Sequence, residues 1–296
     1  MPKAHEAKVG DESRFNKIGQ TAWLTAHWRT FSDIPLSREV FAELENVRRE
    51  SGALSIPNEL KDNTRIAVQL EARYKLVDQL LQNERTDQVL EVAAGMSTRG
   101  LNIANYYKEY VEFDLPAMIT EKQGVIRKLE EKGVVQPSPA LRLVGGNALN
   151  LADLEHAVSF LDPNKTIVIV NEGLMRYLNF DEKAAYATNV KAILSKFGGT
   201  WITPDVTLRH VLSKEDEIRR QHTQRVSTLT GVDIQANRFE NEQQTKEFFE
   251  KFGFSVERHP LTEELPNLVS PKALNLSAAD AEDSLAYAVA FVMKLV

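Results

Sequence analysis

Residues Val89 to Gly100 read VLEVAAGMSTRG, and they combine the sequence signals of a strand, a turn and a helix. Its first four residues favour a strand, Gly95 favours a turn, and the segment LNIANYY that follows favours a helix. In α/β proteins a strand, a glycine-containing turn and a helix in this order often bind a nucleotide-like ligand. The first question is therefore which ligand this turn can hold.

The chain beyond this stretch alternates short apolar runs with longer amphipathic segments. The apolar runs are QVLEVA, EYVEFD, LRLVGG, TIVIVNE and GTWITPD. This alternation predicts an α/β fold with a mostly parallel sheet and helices on both faces. Further on, NEQQTKEFFEKFGFSVERHP predicts a helix, a glycine stop and a strand. The final AYAVAFVMKLV favours a last strand that closes the edge of the sheet, with a buried C-terminal helix as the alternative.

We expect the chain to divide into an N-terminal helical cap and a core that contains one long insertion. Residues 1–60 are helix-like and predict an N-terminal helical cap, and residues 61–296 form the core. Within the core, residues 206–239 are polar and too long for a simple connection between a strand and a helix. We expect either a lid insertion over a site or a solvated helix that decorates the fold.

Composition excludes several classes of function. The 296 residues carry 36 Lys and Arg against 42 Asp and Glu, a net charge of −6, without a basic cluster that could follow a phosphate backbone. Nucleic acid is therefore not an expected partner. The chain has no cysteine, which suits a reducing cytoplasm, and its six histidines lack metal-ligand spacing, so no metal is expected. No signal peptide or membrane span is predicted either.

The turn after the first core strand does not suit a phosphate ligand. Gly95 and Gly100 match the glycines of a P-loop, but Leu101 and Asn102 stand where its Lys and Ser/Thr should be. A dinucleotide fingerprint would find one glycine of its three, and Glu91 would add negative charge beside the pyrophosphate. Triphosphates and dinucleotides are thus poor candidates.

S-adenosylmethionine fits an acidic turn better, because it carries a cationic sulfonium and an ammonium and has no phosphate. Its ribose needs a carboxylate, and Asp114 lies 19 positions after Gly95, near the expected spacing of roughly 20. Glu112, on the same face of the strand, is the second candidate. For Asp114 the alternative is an N-cap of the helix that begins LPAMITEKQG.

The stretches VLEVAAGMSTRG, YVEFDLPAMITEK, VGGNALNLADL and VNEGLMRYL together resemble the leucine carboxyl methyltransferase-like family of S-adenosylmethionine-dependent methyltransferases, including its bacterial, polyketide O-methyltransferase branch. TAWLTAHWR and DIPLSREVF resemble its N-terminal helices, and LEARYKLVDQLL resembles its arginine-bearing helix before the first core strand. The resemblance covers most of the chain. It implies a Rossmann-like class I methyltransferase fold with a seven-stranded sheet, S-adenosylmethionine as cofactor, and methyl transfer to a carboxylate or hydroxyl oxygen of a small molecule.

The same resemblance implies a role for individual residues. Arg73 would pair with the carboxylate of the cofactor, Asp114 would accept the ribose hydroxyls, and Glu172 would face the methionine ammonium. For Arg73 the alternative is a surface arginine on an amphipathic helix. The other implied cofactor-binding residues lie in the first turn and after the third strand: Glu91, Ala93, Gly95, Asn147 and Ala148. Asn147 would lie near the adenine.

The chain departs from the family pattern at two positions. Ala93 stands where the family usually has glycine, and its methyl group narrows the turn. Arg176, in EGLMRYL, stands where relatives more often have methionine or another apolar residue. Arg176 either binds an anionic group of the substrate or points to solvent.

A base is needed only for some acceptors. A carboxylate is ionised at pH 7, whereas a phenol, with a pKa near 10, benefits from a base. The nearest candidates are Tyr177, His210 and Glu172, and His210 requires that residues 206–239 close over the site. We expect His210→Ala to lower kcat only for a phenol or alcohol acceptor.

Two other functions are alternatives to an O-methyltransferase. The strand, the turn and the distant acid alone would also suit an NAD(P)-dependent oxidoreductase. A module that binds the cofactor without turnover would explain Ala93 and the missing base. The sequence does not specify the methyl acceptor or the oligomeric state.

Overall fold

A computed structural model describes residues 12–52, 60, 63–209 and 217–296. In this part of the chain, seven strands form one sheet: β1 (Gln88–Val92), β2 (Glu109–Asp114), β3 (Leu141–Gly145), β4 (Ile167–Asn171), β5 (Gly199–Thr203), β6 (Phe254–Pro260) and β7 (Val289–Leu295). The helices are α1 (Glu12–Gly19), α2 (Thr21–Arg29), α3 (Ser37–Glu50), α4 (Arg65–Asn83), α5 (Arg99–Ile103), α6 (Pro116–Glu131), α7 (Leu151–Ala157), α8 (Phe180–Phe197), α9 (Glu217–Thr230), α10 (Glu242–Glu250), α11 (Ser270–Ala273) and α12 (Ala278–Leu285).

The sheet has the strand order β3-β2-β1-β4-β5-β7-β6. The pairs among β1 to β5 are all parallel, and β7 is antiparallel to both of its neighbours. The five apolar runs from QVLEVA to GTWITPD are therefore strands β1 to β5, as predicted. The predicted α/β class, a mostly parallel seven-stranded sheet, is confirmed.

The position of the last strand differs from the prediction. AYAVAFVMKLV forms a strand rather than a helix, but β7 lies between β5 and β6 instead of closing the edge of the sheet. The edge strand is β6. The burial of the two strands explains this order, because the first five residues of β7 are all buried, whereas in β6 only Phe254 is fully buried. A strand that is apolar on both faces belongs inside a sheet.

Helices cover both faces of the sheet because side chains alternate along each strand. Leu90 and Val92 of β1 pack in one apolar cluster with Val190 of α8. Val89 points to the other face and packs with Val77 of α4. Glu91 lies on this second face of the sheet. The helix α4, which covers this face, carries the buried polar residues Glu71 and Arg73.

A third apolar cluster joins the N-terminal helices to the core. Trp28 of α2 and Leu44 of α3 pack with Val125 of α6, and Val226 of α9 belongs to the same cluster. The two ends of the segment that contains α9 pair with each other. Leu208 and Phe239 form a β-bridge, and the Arg209 N–H donates to Phe239 O. Because α9 packs against α1, the N-terminal helices and the 206–239 segment lie side by side.

The described residues hold neither a membrane-crossing helix nor a cluster of metal-ligating side chains. No described helix has both the length and the apolar composition that a membrane crossing requires. No group of three or more metal-ligating side chains comes together in the described ranges either.

Candidate functional site

A cavity lies at the carboxyl edge of the sheet, where the strand order reverses between β1 and β4 and where open α/β sheets bind their ligands. One part of it, which we call the sheet end, is lined by the turns after β1, β2 and β3: Ala93, Gly95, Asp114 and Asn147. The other part, the cap end, is lined by α1, α9 and the turn after β4: Phe15, Ile18, His222 and Arg176. The two parts form one continuous cavity.

The turn after β1 has a tight backbone. Ala93 and Gly95 have φ values of 57° and 49°, in the left-handed region that favours glycine. A side chain at Gly95 would bring its Cβ to 3.2 Å from Cβ of Ala22. At Ala93 the left-handed conformation costs about 1–2 kcal/mol, which gives a physical reason for the glycine that the family usually has there.

Asp114, the last residue of β2, stabilises this turn through hydrogen bonds. Its Oδ2 accepts a hydrogen bond from the Gly95 N–H at 2.7 Å, and its Oδ1 accepts one from the Leu115 N–H at 2.7 Å. Burial raises the pKa of Asp114, and the two N–H bonds act in the opposite direction. The N-cap of α6 is Leu115, so the alternative role of Asp114 as a helix cap is wrong. Each carboxylate oxygen keeps a second lone pair for a hydroxyl.

Glu91 borders the cavity, but both of its oxygens are bonded inside the protein. Arg99 Nη1 donates to one oxygen at 2.5 Å and Tyr110 Oη to the other at 2.7 Å. Arg99 is fully buried and also pairs with Asp78 at 2.7 Å. No family motif or sequence pattern marks Arg99 as part of the site. A carboxylate inside an apolar strand signals a nearby cation, and Arg99 follows Glu91 by eight residues.

Glu112, the second candidate for the ribose, does not line the cavity. It is fully buried beside Lys122, with 2.5 Å between the ammonium and Oε2. Burial raises the pKa of Glu112 to about 7, against the effect of the Lys122 charge. A side chain at Gly100 would place its Cβ at 2.4 Å from Oε1 of Glu112, so this carboxylate requires a glycine beside it.

Glu172 follows β4 and is held between two arginines. Arg29 Nη2 lies 2.9 Å from its Oε1, and Arg99 Nη2 lies 3.5 Å from its Oε2. Burial opposes ionisation, but the charges of Arg29, Arg99 and Arg73 outweigh it and lower the pKa of Glu172. Arg29 was missed in the sequence analysis. It belongs to α2, so this ion pair joins the N-terminal helices to the sheet edge.

Arg73 lies on α4 and lines the cavity with only 8% of its surface exposed, so the surface alternative is wrong. Its Nε is buried without a hydrogen bond, and the guanidinium forms no ion pair with the described residues. Burial lowers the pKa of Arg73, with the Arg176 charge acting in the same direction and Glu172 against it. A guanidinium nevertheless stays charged at pH 7. A buried, unpaired cation of this kind suits an anionic ligand group.

Asn147 and Ala148 lie in the turn after β3. Oδ1 of Asn147 accepts from the Leu149 N–H at 2.9 Å, and its own N–H donates to Asp153 at 2.8 Å. The side-chain nitrogen Nδ2 of Asn147 makes no hydrogen bond within the described ranges, so it can donate to a ring nitrogen of a ligand. Ala148 O accepts from Asn189 at 3.1 Å.

The base candidates are placed differently. Tyr177 is buried against the cavity, and its hydroxyl donates to Thr21 Oγ1 at 3.2 Å. His210 lies outside the described residues. His222 on α9, which no sequence motif marks, lines the cap end. Burial, together with the charges of Arg176 and Arg225, lowers its pKa to about 4.

Fold and site define a class of protein. The order β3-β2-β1-β4-β5-β7-β6, a glycine-containing turn after β1, and an acid at the end of β2 are the features of a Rossmann-like S-adenosylmethionine-dependent methyltransferase. The chain belongs to the leucine carboxyl methyltransferase family, whose model matches residues 34–191. S-adenosylmethionine is accordingly its cofactor, and the oxidoreductase alternative is wrong.

Solved structures agree with this fold. A DUF574 family protein from Streptomyces avermitilis superposes with a TM-score of 0.56 at 14% identity, covering 93% of this chain and 97% of its own. The methyltransferase domain of the bacterial protein CtHen1-C gives a TM-score of 0.50 at 12% identity, with 77% and 98% covered. A comparison with curated protein sequences finds no match. These likenesses concern the fold, and the roles of the individual site residues stay predictions.

Proposed function

We propose that this methyltransferase is an O-methyltransferase that acts on a carboxylate or hydroxyl group of a small molecule. The observation that carries this proposal is the continuous cavity, in which the cap end lies under α1, α2 and α9. A space bounded by helices suits a small acceptor better than a polymer. The net charge of −6 also disfavours nucleic acid, and a chain without cysteine suits the reducing cytoplasm.

The charges at the cavity favour an oxygen acceptor over an amine. An amine would need an unpaired carboxylate, but Glu91, Glu172 and Asp283 each pair with at least one arginine. Asp114 accepts two backbone N–H groups. Cationic Arg176 lies at the cap end instead, where it can face an ionised or polarised oxygen.

We propose that the sheet end holds S-adenosylmethionine through the residues that the resemblance implies. Arg73 would bind the carboxylate, Asp114 the ribose hydroxyls and Asn147 the adenine. The unpaired Nε of Arg73 and the free amide nitrogen of Asn147 fit these roles. Glu172 would add attraction for the ammonium, although it also binds Arg29. The walls around the cofactor would be formed by Glu91, Ala93, Gly95 and Ala148.

The bound cofactor supplies a methyl group on a positively charged sulfur. Arg73 and Asp114 would hold this cofactor, which would give its methyl group to the acceptor oxygen while its sulfur keeps the electrons of the carbon–sulfur bond. This chain's task is to hold the oxygen in line, which Arg176 and the walls of the cap end can do. For a carboxylate no proton moves. For a hydroxyl, Tyr177 and His210 remain the proposed base candidates.

Calorimetry of the full chain tests the cofactor site. We expect S-adenosylhomocysteine to bind the wild type, and Asp114→Ala to weaken binding at least tenfold, because the ribose loses a charged acceptor. Asp87→Ala, at an exposed ion pair with Lys165, is the control and should bind normally. Undiminished binding by Asp114→Ala would remove that residue from the site.

A panel of acceptors tests the oxygen specificity. The wild type is incubated with deuteromethyl-labelled S-adenosylmethionine and small acids, phenols, alcohols and amines, and products are detected by mass spectrometry. We expect labelled esters or ethers. Labelled amines alone would contradict an O-methyltransferase, and binding without any transfer would support the module without turnover.

A further inference from the structure

Arg29, the last residue of α2, is a buried cation in the wall of the cavity. Only 5% of its surface is exposed. Its Nη2 donates to Oε1 of Glu172 at 2.9 Å, whereas its Nε is buried without a hydrogen bond in the described residues. A guanidinium carries five N–H donors, and buried donors usually have partners in a folded protein. The ion pair with Glu172 therefore leaves Arg29 with donors that a ligand can use.

Arg73 shows the same pattern on a second helix, α4. It is also buried in the wall of the cavity, and its Nε has no hydrogen bond in the described residues. Against the effect of burial, the charges of Arg29, Arg99 and Arg73 lower the pKa of Glu172, so Arg29 and Arg73 both lie within electrostatic reach of this carboxylate. Two buried guanidiniums with unused donors thus lie near one buried carboxylate.

A ligand group that satisfies this arrangement carries both signs of charge. A ligand carboxylate can accept from two guanidiniums at once, because its two oxygens offer about four lone-pair positions. Glu172 attracts a cation in addition. A carboxylate beside an ammonium is the zwitterionic end of an α-amino acid, and the methionine end of S-adenosylmethionine carries this group. If the carboxylate paired with Arg73 alone, Nε of Arg29 would stay buried without a partner, which is costly.

Resting on the proposed position of the cofactor, we infer that Arg29 is a further cofactor-binding residue, which shares the carboxylate of S-adenosylmethionine with Arg73 and holds Glu172 for the ammonium. The ring of Tyr74 supports the guanidinium, whose central carbon lies 5.9 Å from the ring centroid. Trp28, the neighbour of Arg29 on α2, is 1% exposed and anchors the helix in its apolar cluster. The N-terminal helical cap thereby takes part in recognition of the methionine end.

Three ligands separate the parts of the methionine end in calorimetry on the full chain. S-adenosylhomocysteine carries the carboxylate and the ammonium, its decarboxylated analogue keeps the ammonium alone, and 5′-methylthioadenosine has neither. In Arg29→Met we expect S-adenosylhomocysteine to bind more weakly than in the wild type by roughly tenfold or more. The affinity for 5′-methylthioadenosine should stay within about twofold. The decarboxylated analogue should bind more tightly to the variant, because its ammonium no longer competes with Arg29 for Glu172.

The pattern across the three ligands distinguishes ligand binding from a structural role. A loss of packing around α2 would weaken all three ligands alike, and that result would overturn the inference, as would an unchanged affinity for S-adenosylhomocysteine. Arg29→Lys keeps the charge without the planar fork and should give an intermediate affinity for S-adenosylhomocysteine.

Arg48→Met is the matched control within the N-terminal helices. Arg48 lies on α3, pairs with Glu121 at 2.8 Å and contacts the Trp23 ring, with 4.3 Å from its guanidinium carbon to the ring centroid. This change removes a cation and a ring contact from the helical cap but not from the cavity wall. The variant should bind all three ligands like the wild type.

Hydrogen exchange on the wild type tests the inference without a variant. At saturation, S-adenosylhomocysteine should slow amide exchange in α2 more than 5′-methylthioadenosine does, because it alone offers Arg29 a carboxylate. Equal protection of α2 by both ligands would overturn the inference. Normal binding of S-adenosylhomocysteine without methyl transfer to any oxygen acceptor would instead contradict the proposed O-methyltransferase and leave the role of Arg29 intact.

Discussion

The two ends of the cavity differ in how their polar groups are satisfied. At the sheet end, Glu91 is bonded to Arg99 and Asp114 to backbone N–H groups without any ligand, and Glu172, in the turn after β4, is paired with Arg29. At the cap end, Arg176 and His222 each retain a buried nitrogen without a partner. The sheet end has protein contacts that hold its acids in place, whereas the cap end leaves two buried nitrogens without hydrogen bonds in the described residues. Arg73 is the exception beside the sheet end, because its Nε is buried without a hydrogen bond in the described residues, and we propose that the carboxylate of the cofactor pairs with it.

Loss of Arg99 should have the largest effect on stability. Arg99→Met leaves Glu91 and Asp78 without their buried cation, which costs about 3–5 kcal/mol when one partner of a buried pair is removed. Urea unfolding of the ligand-free protein measures the change. Arg142→Met breaks an exposed pair and should cost at most about 1 kcal/mol. Similar losses in both variants would show that the Arg99 network adds no special stability.

Titration of His222 should make stability fall in acid. Its pKa is about 4 in the folded protein against 6.5 as the ordinary value, so the unfolded chain binds a proton in this window while the folded chain does not. The free energy of unfolding is therefore undiminished above pH 6.5 and falls as the pH drops towards 4. The expected loss is at most about 3 kcal/mol.

His222→Gln is the matched variant for this pH dependence, because it keeps a hydrogen-bonding side chain without a titration near neutrality. Urea unfolding at pH 4.5 and 7 should show a smaller difference for the variant than for the wild type. Identical differences would show that His222 does not contribute to acid sensitivity.

Arg73 should behave in the opposite way to Arg99. Arg73→Met removes a buried cation that has no described ion pair, so the ligand-free protein should not lose stability. Its affinity for S-adenosylhomocysteine should fall roughly 30-fold, corresponding to about 2 kcal/mol for a lost charged hydrogen bond. On one preparation, calorimetry measures the affinity for S-adenosylhomocysteine and urea unfolding measures the stability. A destabilised variant with normal affinity would reverse the assignment of Arg73.

Ala93→Gly should have the smallest effect. Glycine relieves the left-handed backbone at φ 57°, and the greater freedom of the unfolded chain offsets part of the gain. We expect stabilisation of at most about 1 kcal/mol in urea unfolding, with unchanged affinity for S-adenosylhomocysteine. Ala94→Gly is the control, since Ala94 does not have a positive φ and glycine there should destabilise. Destabilisation by both changes would mean that Ala93 is not strained.

The sequence predicted those features whose signals lie along one short segment. The five parallel strands follow from apolar periodicity, and the position of Asp114 at the end of β2 follows from its spacing to Gly95. The burial of Arg73 on α4 agrees with the family motif. For these residues, local pattern and strand order together determine the position.

The remaining features depend on contacts between distant segments. Arg29 and Glu172 are 143 positions apart, and no periodicity connects them. The position of His222 at the cavity depends on how α9 packs against α1. The place of β7 inside the sheet depends on which neighbour buries its second face. Long-range packing decides all three, and sequence patterns report mainly local structure.

The ion pair between Arg29 and Glu172 has a practical consequence for engineering. Because Arg29 belongs to α2 and Glu172 to the edge of the sheet, a shortened variant that lacks the first helices would leave a carboxylate at the cavity with one cation fewer. The same deletion would remove Trp28 and Phe15 from the cavity wall. Changes of acceptor are therefore better sought by substituting side chains on α1, α2 and α9 than by trimming the chain.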